Sequence, residues 1–119
     1  MVRVKRVYDE ASRSDGYRVL VDRIWPRGVR REEAKLDEWL KDLAPSGGLR
    51  KWFGHDPDKW QEFRSRYYKE LAGKESEIDK LQSIARKRPV TLLYGAKDAE
   101  HNNAIALKDY IDCSGRAEK

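Results

Sequence analysis

Two stretches of the chain hold the residue types best suited to gripping an anion: Arg23-Ile24-Trp25-Pro26-Arg27-Gly28, and Gly95-Ala96-Lys97-Asp98 followed by His101 and Asn102. Arginine's planar fork matches phosphate or carboxylate bidentately, and lysine adds a point charge. Asp98 can cap a helix whose free N–H groups and dipole favour negative charge. Arg23, Arg27, Lys97 and His101 are therefore expected to converge on a phosphate-bearing or other anionic ligand. Asn102 could join them, although an asparagine in a first helical turn often only satisfies backbone groups, and so could Asn103. Trp25 either stacks a planar ligand or plugs the end of the sheet, and the plug is preferred. Gly-x-Lys-Asp is neither a Walker loop nor a dinucleotide fingerprint.

Any reaction would need a proton carrier, and only histidine titrates near neutrality without help. His101 and His55 are the two candidates as general acid or base; His55 precedes the helix-starting pair Asp56-Pro57, where a capping or packing role is commoner. Asp22 either pairs with the arginines or serves as a base whose pKa they would lower, pairing being preferred. The single cysteine, Cys113, forms no internal disulfide and has no basic neighbour closer than Arg116 to activate it. With no nucleophile, hydrolytic or transfer chemistry would rely on an activated water. Two separated histidines without a His-Glu-x-x-His motif predict no metal site, and no cofactor is expected.

These residues need a scaffold. Val2, Val4 and Val7 alternate with Arg3, Lys5 and Arg6, the period of a half-buried strand. Polar residues 9–16 end in the turn signal Asp15-Gly16, and Tyr17-Arg18-Val19-Leu20-Val21-Asp22 reads as a second strand. The connection is too short for a crossover helix, which predicts an antiparallel pair. Leu36, Trp39, Leu40 and Leu43 fall at helical spacing, with Pro45 ending that helix. Leu49, Trp52 and Phe53 mark a second, capped by Ser46 and closed by Gly54. Asp56-Pro57 opens a third with stripe Trp60, Phe63, Tyr67 and Leu71. Ile78, Leu81, Ile84 and Ala85 carry a fourth, and Ala104, Leu107, Tyr110 and Ile111 a last one. Val90-Thr91-Leu92-Leu93-Tyr94 reads as a central buried strand.

The resulting expectation is one α/β domain over residues 1–119, a small mixed sheet of about three strands with four to five helices. Its ordered core spans about 2–112, before a short polar C-terminal tail. If strands 17–22 and 90–94 are parallel, the two anion-binding stretches meet beyond their carboxyl ends, where open α/β sheets bind ligands.

Composition narrows the class. Of 119 residues, 39% are charged, yet four Trp, six Tyr and two Phe argue against disorder. No apolar run approaches a membrane span, and the start Met1-Val2-Arg3-Val4-Lys5-Arg6 is no secretory signal, which makes the cytoplasm the expected location. The net charge of +5 resides wholly in residues 1–31, where eight of nine cations are arginine. That bias supports a second reading, a nucleic-acid-binding module using the basic N-terminal quarter, although no known binding motif is present. A third is a homodimeric interaction protein without catalysis, its basic first strand lying at a sheet edge.

Three blocks carry a family likeness: Asp22-Arg23-Ile24-Trp25-Pro26-Arg27-Gly28, Leu49-Arg50-Lys51-Trp52-Phe53-Gly54-His55-Asp56-Pro57, and Thr91-Leu92-Leu93-Tyr94-Gly95-Ala96-Lys97-Asp98 with His101-Asn102. In order and across almost the whole chain, they resemble the YeaO-like proteins, small bacterial and archaeal proteins classed as a domain of unknown function. The resemblance implies a cytoplasmic α/β domain and no established activity. More distant relatives often carry a Cys-His-Arg run near the start of the last helix. His101-Asn102-Asn103 stands there in this chain, so no thiol chemistry is carried over.

Overall fold

The computed structural model describes residues 1–117, with side chains through Cys113. Its organising element is β4 (Val90–Tyr94), every residue of which is buried. A strand apolar on both faces needs partners along both edges as well as cover above and below. β1 (Val2–Arg6) takes one edge, from Val2 against Val90 to Arg6 against Tyr94. β2 (Tyr17–Leu20) takes the other, from Tyr17 against Val90 to Leu20 against Leu93. The short β3 (Glu38–Trp39) adds to β2, giving the order β1-β4-β2-β3 with every pairing parallel.

The sheet therefore differs from expectation in three respects. It has four strands, not about three, and it is parallel throughout rather than mixed. β1 and β2 do not pair antiparallel; β4 lies between them and satisfies both.

A further difference lies in residues 36–43, where helical spacing gives way to β3 and a 3-10 turn at Lys41–Leu43. Two cores compete for these four apolar residues. Leu36 and Trp39 pack with Leu20, Leu93 and Val7 on one face of the sheet, whereas Leu43 and Leu40 join the main core. A helix would present all four to one side. Extended backbone serves both, with Asp37 N–H bonded to Arg18 O and Leu40 N–H to Leu20 O.

The main core lies between the sheet and α2 (Gly47–Phe53), α3 (Trp60–Leu71), α4 (Glu75–Ala85) and α5 (Asn103–Ala117). Their signals read correctly at several ends. The Ser46 hydroxyl caps α2 through Leu49 N–H, Gly54 closes it, and the Asp56 carboxylate receives Asp58 N–H ahead of α3. Phe63, Tyr67 and Leu71 are buried as the stripe requires, and the Tyr67 hydroxyl donates to the Leu43 carbonyl.

Between β2 and β3 stands one further short helix, α1 (Arg31–Ala34). At the opposite end of the chain, Asp98 caps a turn through Glu100 and His101 N–H, while Asn102 caps α5 itself through Ile105 N–H. The helix thus begins after His101. It also runs through Ala117, into the expected polar tail, whose residues Glu118 and Lys119 lie outside the described residues.

Candidate functional site

A cavity of about 590 Å³ opens beyond the carboxyl ends of β2 and β4. That volume suits a small ligand. Its floor is made by Asp22 and Gly95, which follow the two strands, and by Asn102 and Asn103 at the start of α5. Arg23, Ile24, Arg50, Lys51 and His55 also line it.

Strand pairing sets the floor. Val21 N–H bonds Leu93 O, so the chain leaves β2 still fixed to β4 and carries Asp22 against the next loop. There the Asp22 carboxylate accepts Gly95 N–H at 2.8 Å and a bond from the Asn103 amide. Asn103 also donates to Val21 O at 2.9 Å, tying α5 to the end of β2. Burial raises the Asp22 pKa; the Gly95 and Asn103 bonds and the charges of Arg50 and His55 pull against it without overcoming it. Neither expectation for Asp22 holds as stated: no arginine forms a salt bridge with it among the described residues, and the pull of Arg50 on its pKa is outweighed by burial.

The cationic side is built by α2. Leu49 and Phe53 point into the core, which leaves Arg50 and Lys51 outward and exposed over the cavity. Glu70 of α3 steadies the start of this helix by accepting both the N–H and the hydroxyl of Ser46, at 2.9 and 2.7 Å. Arg23 Nε donates to Pro45 O, just ahead of α2, at 3.2 Å. None of Arg23, Arg50 and Lys51 forms a salt bridge with a carboxylate among the described residues.

Of the residues singled out in the sequence, Asp22, Arg23, Asn102, Asn103 and His55 line this cavity, and Trp25, Arg27, Lys97 and His101 do not. Trp25 takes the plug position. It packs edge-on against Trp39 at 5.3 Å on the far face of the sheet, donates to Val29 O and lies under Arg31. Arg27 is exposed, and its carbonyl accepts the Tyr8 hydroxyl. Lys97 is exposed in the loop after β4. His101 bonds Asp98 through Nδ1 at 3.0 Å and sets its ring edge-on to Trp60. Asn102 is 2% exposed, and its amide is spent on Asp98 O and Ile105 N–H. Arg50 and Lys51 were missed as site residues. The sequence shows only that these two polar positions, between Leu49 and the Trp52-Phe53 pair, face away from the core, and not that they face the cavity.

His55 is held at φ 57°, in the left-handed region, directly after Gly54. Such a conformation costs a non-glycine residue about 1–2 kcal/mol. His55→Gly removes that strain and adds a similar unfolded-state entropy. The variant is expected to stay within about 1 kcal/mol of the parent in urea denaturation. A much larger loss would show that the imidazole, 6.2 Å from the Phe53 ring, is a packing element.

Among the described residues no helix is long and apolar enough to cross a membrane, and no group of three or more His, Cys, Asp and Glu is arranged to hold a metal ion. Fold and site together define a small parallel-sheet α/β protein with a cation-flanked cavity at its strand ends. The chain belongs to the family described as the inactive DUF488-N3 subclade, whose model matches residues 1–119. It is 48% identical over 110 residues to the uncharacterised protein YeaO of Escherichia coli K12, covering 92% of this chain and 96% of that one. It is 47% identical over 111 residues to the uncharacterised protein Rv3073c of Mycobacterium tuberculosis H37Rv, covering 93% of each. No solved structure matches.

Proposed function

We propose that this protein binds a small anionic ligand, bearing phosphate or carboxylate, in the cavity at the ends of β2 and β4. One observation carries the reading: Arg23, Arg50 and Lys51 line one cavity and none is neutralised by a salt bridge among the described residues. Unneutralised cations around a concave site favour a complementary charge and raise its local concentration. Binding without turnover is the preferred form. Among the described residues the cavity is lined by no serine, threonine or cysteine to act as nucleophile, His55 is the one candidate proton carrier that lines it while His101 stands outside, and the subclade is described as inactive.

The rest of the basic first quarter is dispersed, which weighs against the nucleic-acid reading. Lys5 and Arg18 are bound to Asp15, Arg6 donates to Gly95 and Ala96 carbonyls, and Arg31 lies over Trp25. A phosphate-tracking surface needs its cations free and contiguous.

The test is titration of the intact chain with phosphate monoesters and dicarboxylates, followed by melting temperature. A ligand specific to the native state at a hundred times its Kd stabilises by about 2.7 kcal/mol. Arg50→Ala, at an exposed position, is expected to leave the unliganded fold intact and to cost about 1.5–3 kcal/mol of binding, the worth of a charge-assisted hydrogen bond. Tight binding to duplex DNA with a steep salt dependence, and none to small anions, would replace this reading with the nucleic-acid one.

A further inference from the structure

We infer that the cavity takes a phosphate monoester built on a small hydroxylated body, its phosphate on Arg23, Arg50 and Lys51 and a hydroxyl donating to Asp22. This rests on the anion reading above and narrows it to a ligand class. The defining feature is a carboxylate on the floor of an otherwise cationic cavity. Asp22 accepts from Gly95 N–H and the Asn103 amide, and a carboxylate has about four acceptor sites, so capacity remains on a group that lines the cavity. If Asp22 served only to hold Gly95 and Asn103, a neutral side chain would do so without the cost of a buried charge.

A wholly anionic ligand meets repulsion from Asp22, so the favoured ligand separates a charged end from a donating end. Charge balance then decides the donor. Three cations against one carboxylate leave the cavity at +2. A phosphate monoester at neutral pH carries about −1.5 to −2, so its remaining body is best neutral. A hydroxyl meets that condition. Glutamate, with two carboxylates and one ammonium, carries about −1 and leaves one of the two excess positive charges uncompensated. Ile24, Pro45 and Phe53 supply apolar wall against which a carbon skeleton can lie.

The experiment compares glycerol 3-phosphate, methyl phosphate, inorganic phosphate and glutamate by calorimetric titration of the full chain. Glycerol 3-phosphate is expected to bind about tenfold more tightly than methyl phosphate, which has the charge and lacks the hydroxyl. In Asp22→Asn that preference should vanish while methyl phosphate binds at least as well, because a repelling charge is gone. Equal affinities for the two esters in the parent protein would overturn the inference, as would a preference that persists in Asp22→Asn or a preference for glutamate. The comparison of esters in the parent protein decides the matter even if that variant fails to fold. Binding of none of the four would instead remove the anion reading itself.

Discussion

Asp15→Ala is expected to destabilise the protein by about 3–5 kcal/mol, the cost of breaking a buried ion pair from one side. Asp15 and Arg18 are only 6% and 4% exposed, and the carboxylate accepts from Arg18 Nη1 at 2.5 Å and from Lys5 Nζ at 3.2 Å. The Arg18 guanidinium also donates twice to Ala34 O, and Asp15 O accepts the Thr91 hydroxyl. Asp15 and Arg18 together therefore tie β1, β2, β4 and the end of α1: the carboxylate through Lys5 and Arg18, the Asp15 carbonyl through Thr91, and the guanidinium through Ala34 O. Alanine would strand Arg18 beside apolar neighbours with a donor unmet. Urea denaturation at neutral pH measures the loss, and a value under about 1 kcal/mol would show that water reaches the site. Replacing both partners, as Asp15→Ala with Arg18→Met, should recover much of the stability, since an apolar pair carries no desolvation cost.

Acid should reproduce part of this effect in the parent protein. Burial alone would raise the Asp15 pKa, but Ser12 N–H, Lys5 and Arg18 overcome it and hold the group below its ordinary 3.8. A carboxyl with a depressed folded pKa contributes stability that is complete above the unfolded value and is lost as pH falls through the folded one. Stability should thus decline below about pH 4, and the Asp15→Ala variant should show a shallower acid limb.

Much of the helical layer was legible because its signals are local. Ser46, Gly54 and Asp56-Pro57 set chain ends through their own backbone chemistry, and the α3 stripe repeats at one period on one face. What failed was non-local. Nothing between residues 7 and 16 reveals that β4, some seventy residues later, will separate β1 from β2. The apparent helix at Leu36–Leu43 was a coincidence of spacing. Its residues serve two faces of a sheet that did not exist until β2 and β4 had paired.

The candidate site divides along the same line. Arg23 and Asn102 were readable from the strand ends, because a parallel β2–β4 pair needs only two strands to define its crevice. Arg27, Lys97 and His101 share those loops with site residues by proximity in sequence alone. A loop residue four positions beyond Arg23 is free to turn away, and Arg27 does. Arg50 and Lys51 come instead from α2, whose placement over the cavity depends on the Glu70–Ser46 bonds and on packing of Leu49 and Phe53. No pattern in the immediate sequence states where that packing sends its outer face.

Gly16→Ala is expected to cost at least about 3 kcal/mol, by strain and by collision at one point. Gly16 adopts φ 66° and ψ −129°, backbone that L residues rarely occupy. An added Cβ would stand 2.2 Å from the Pro89 carbonyl oxygen. That oxygen accepts Tyr17 N–H at 2.9 Å, the bond with which β2 begins alongside β4. The methyl group cannot be accommodated by a rotating side chain, because what it meets is backbone. Relief requires the Asp15–Tyr17 turn to lift, which pulls on the Thr91 bond to Asp15 O and through it on the buried ion pair. Gly28→Ala is the matched control. Gly28 also has positive φ, at 80°, but a Cβ there meets nothing within 4 Å, so only the strain of about 1–2 kcal/mol applies. Urea denaturation of the two variants side by side separates the causes. Equal losses would mean that β2 and β4 tolerate a wider gap at their start, and a clearly larger loss at Gly16 would locate the closest constraint on the sheet where its two central strands first meet.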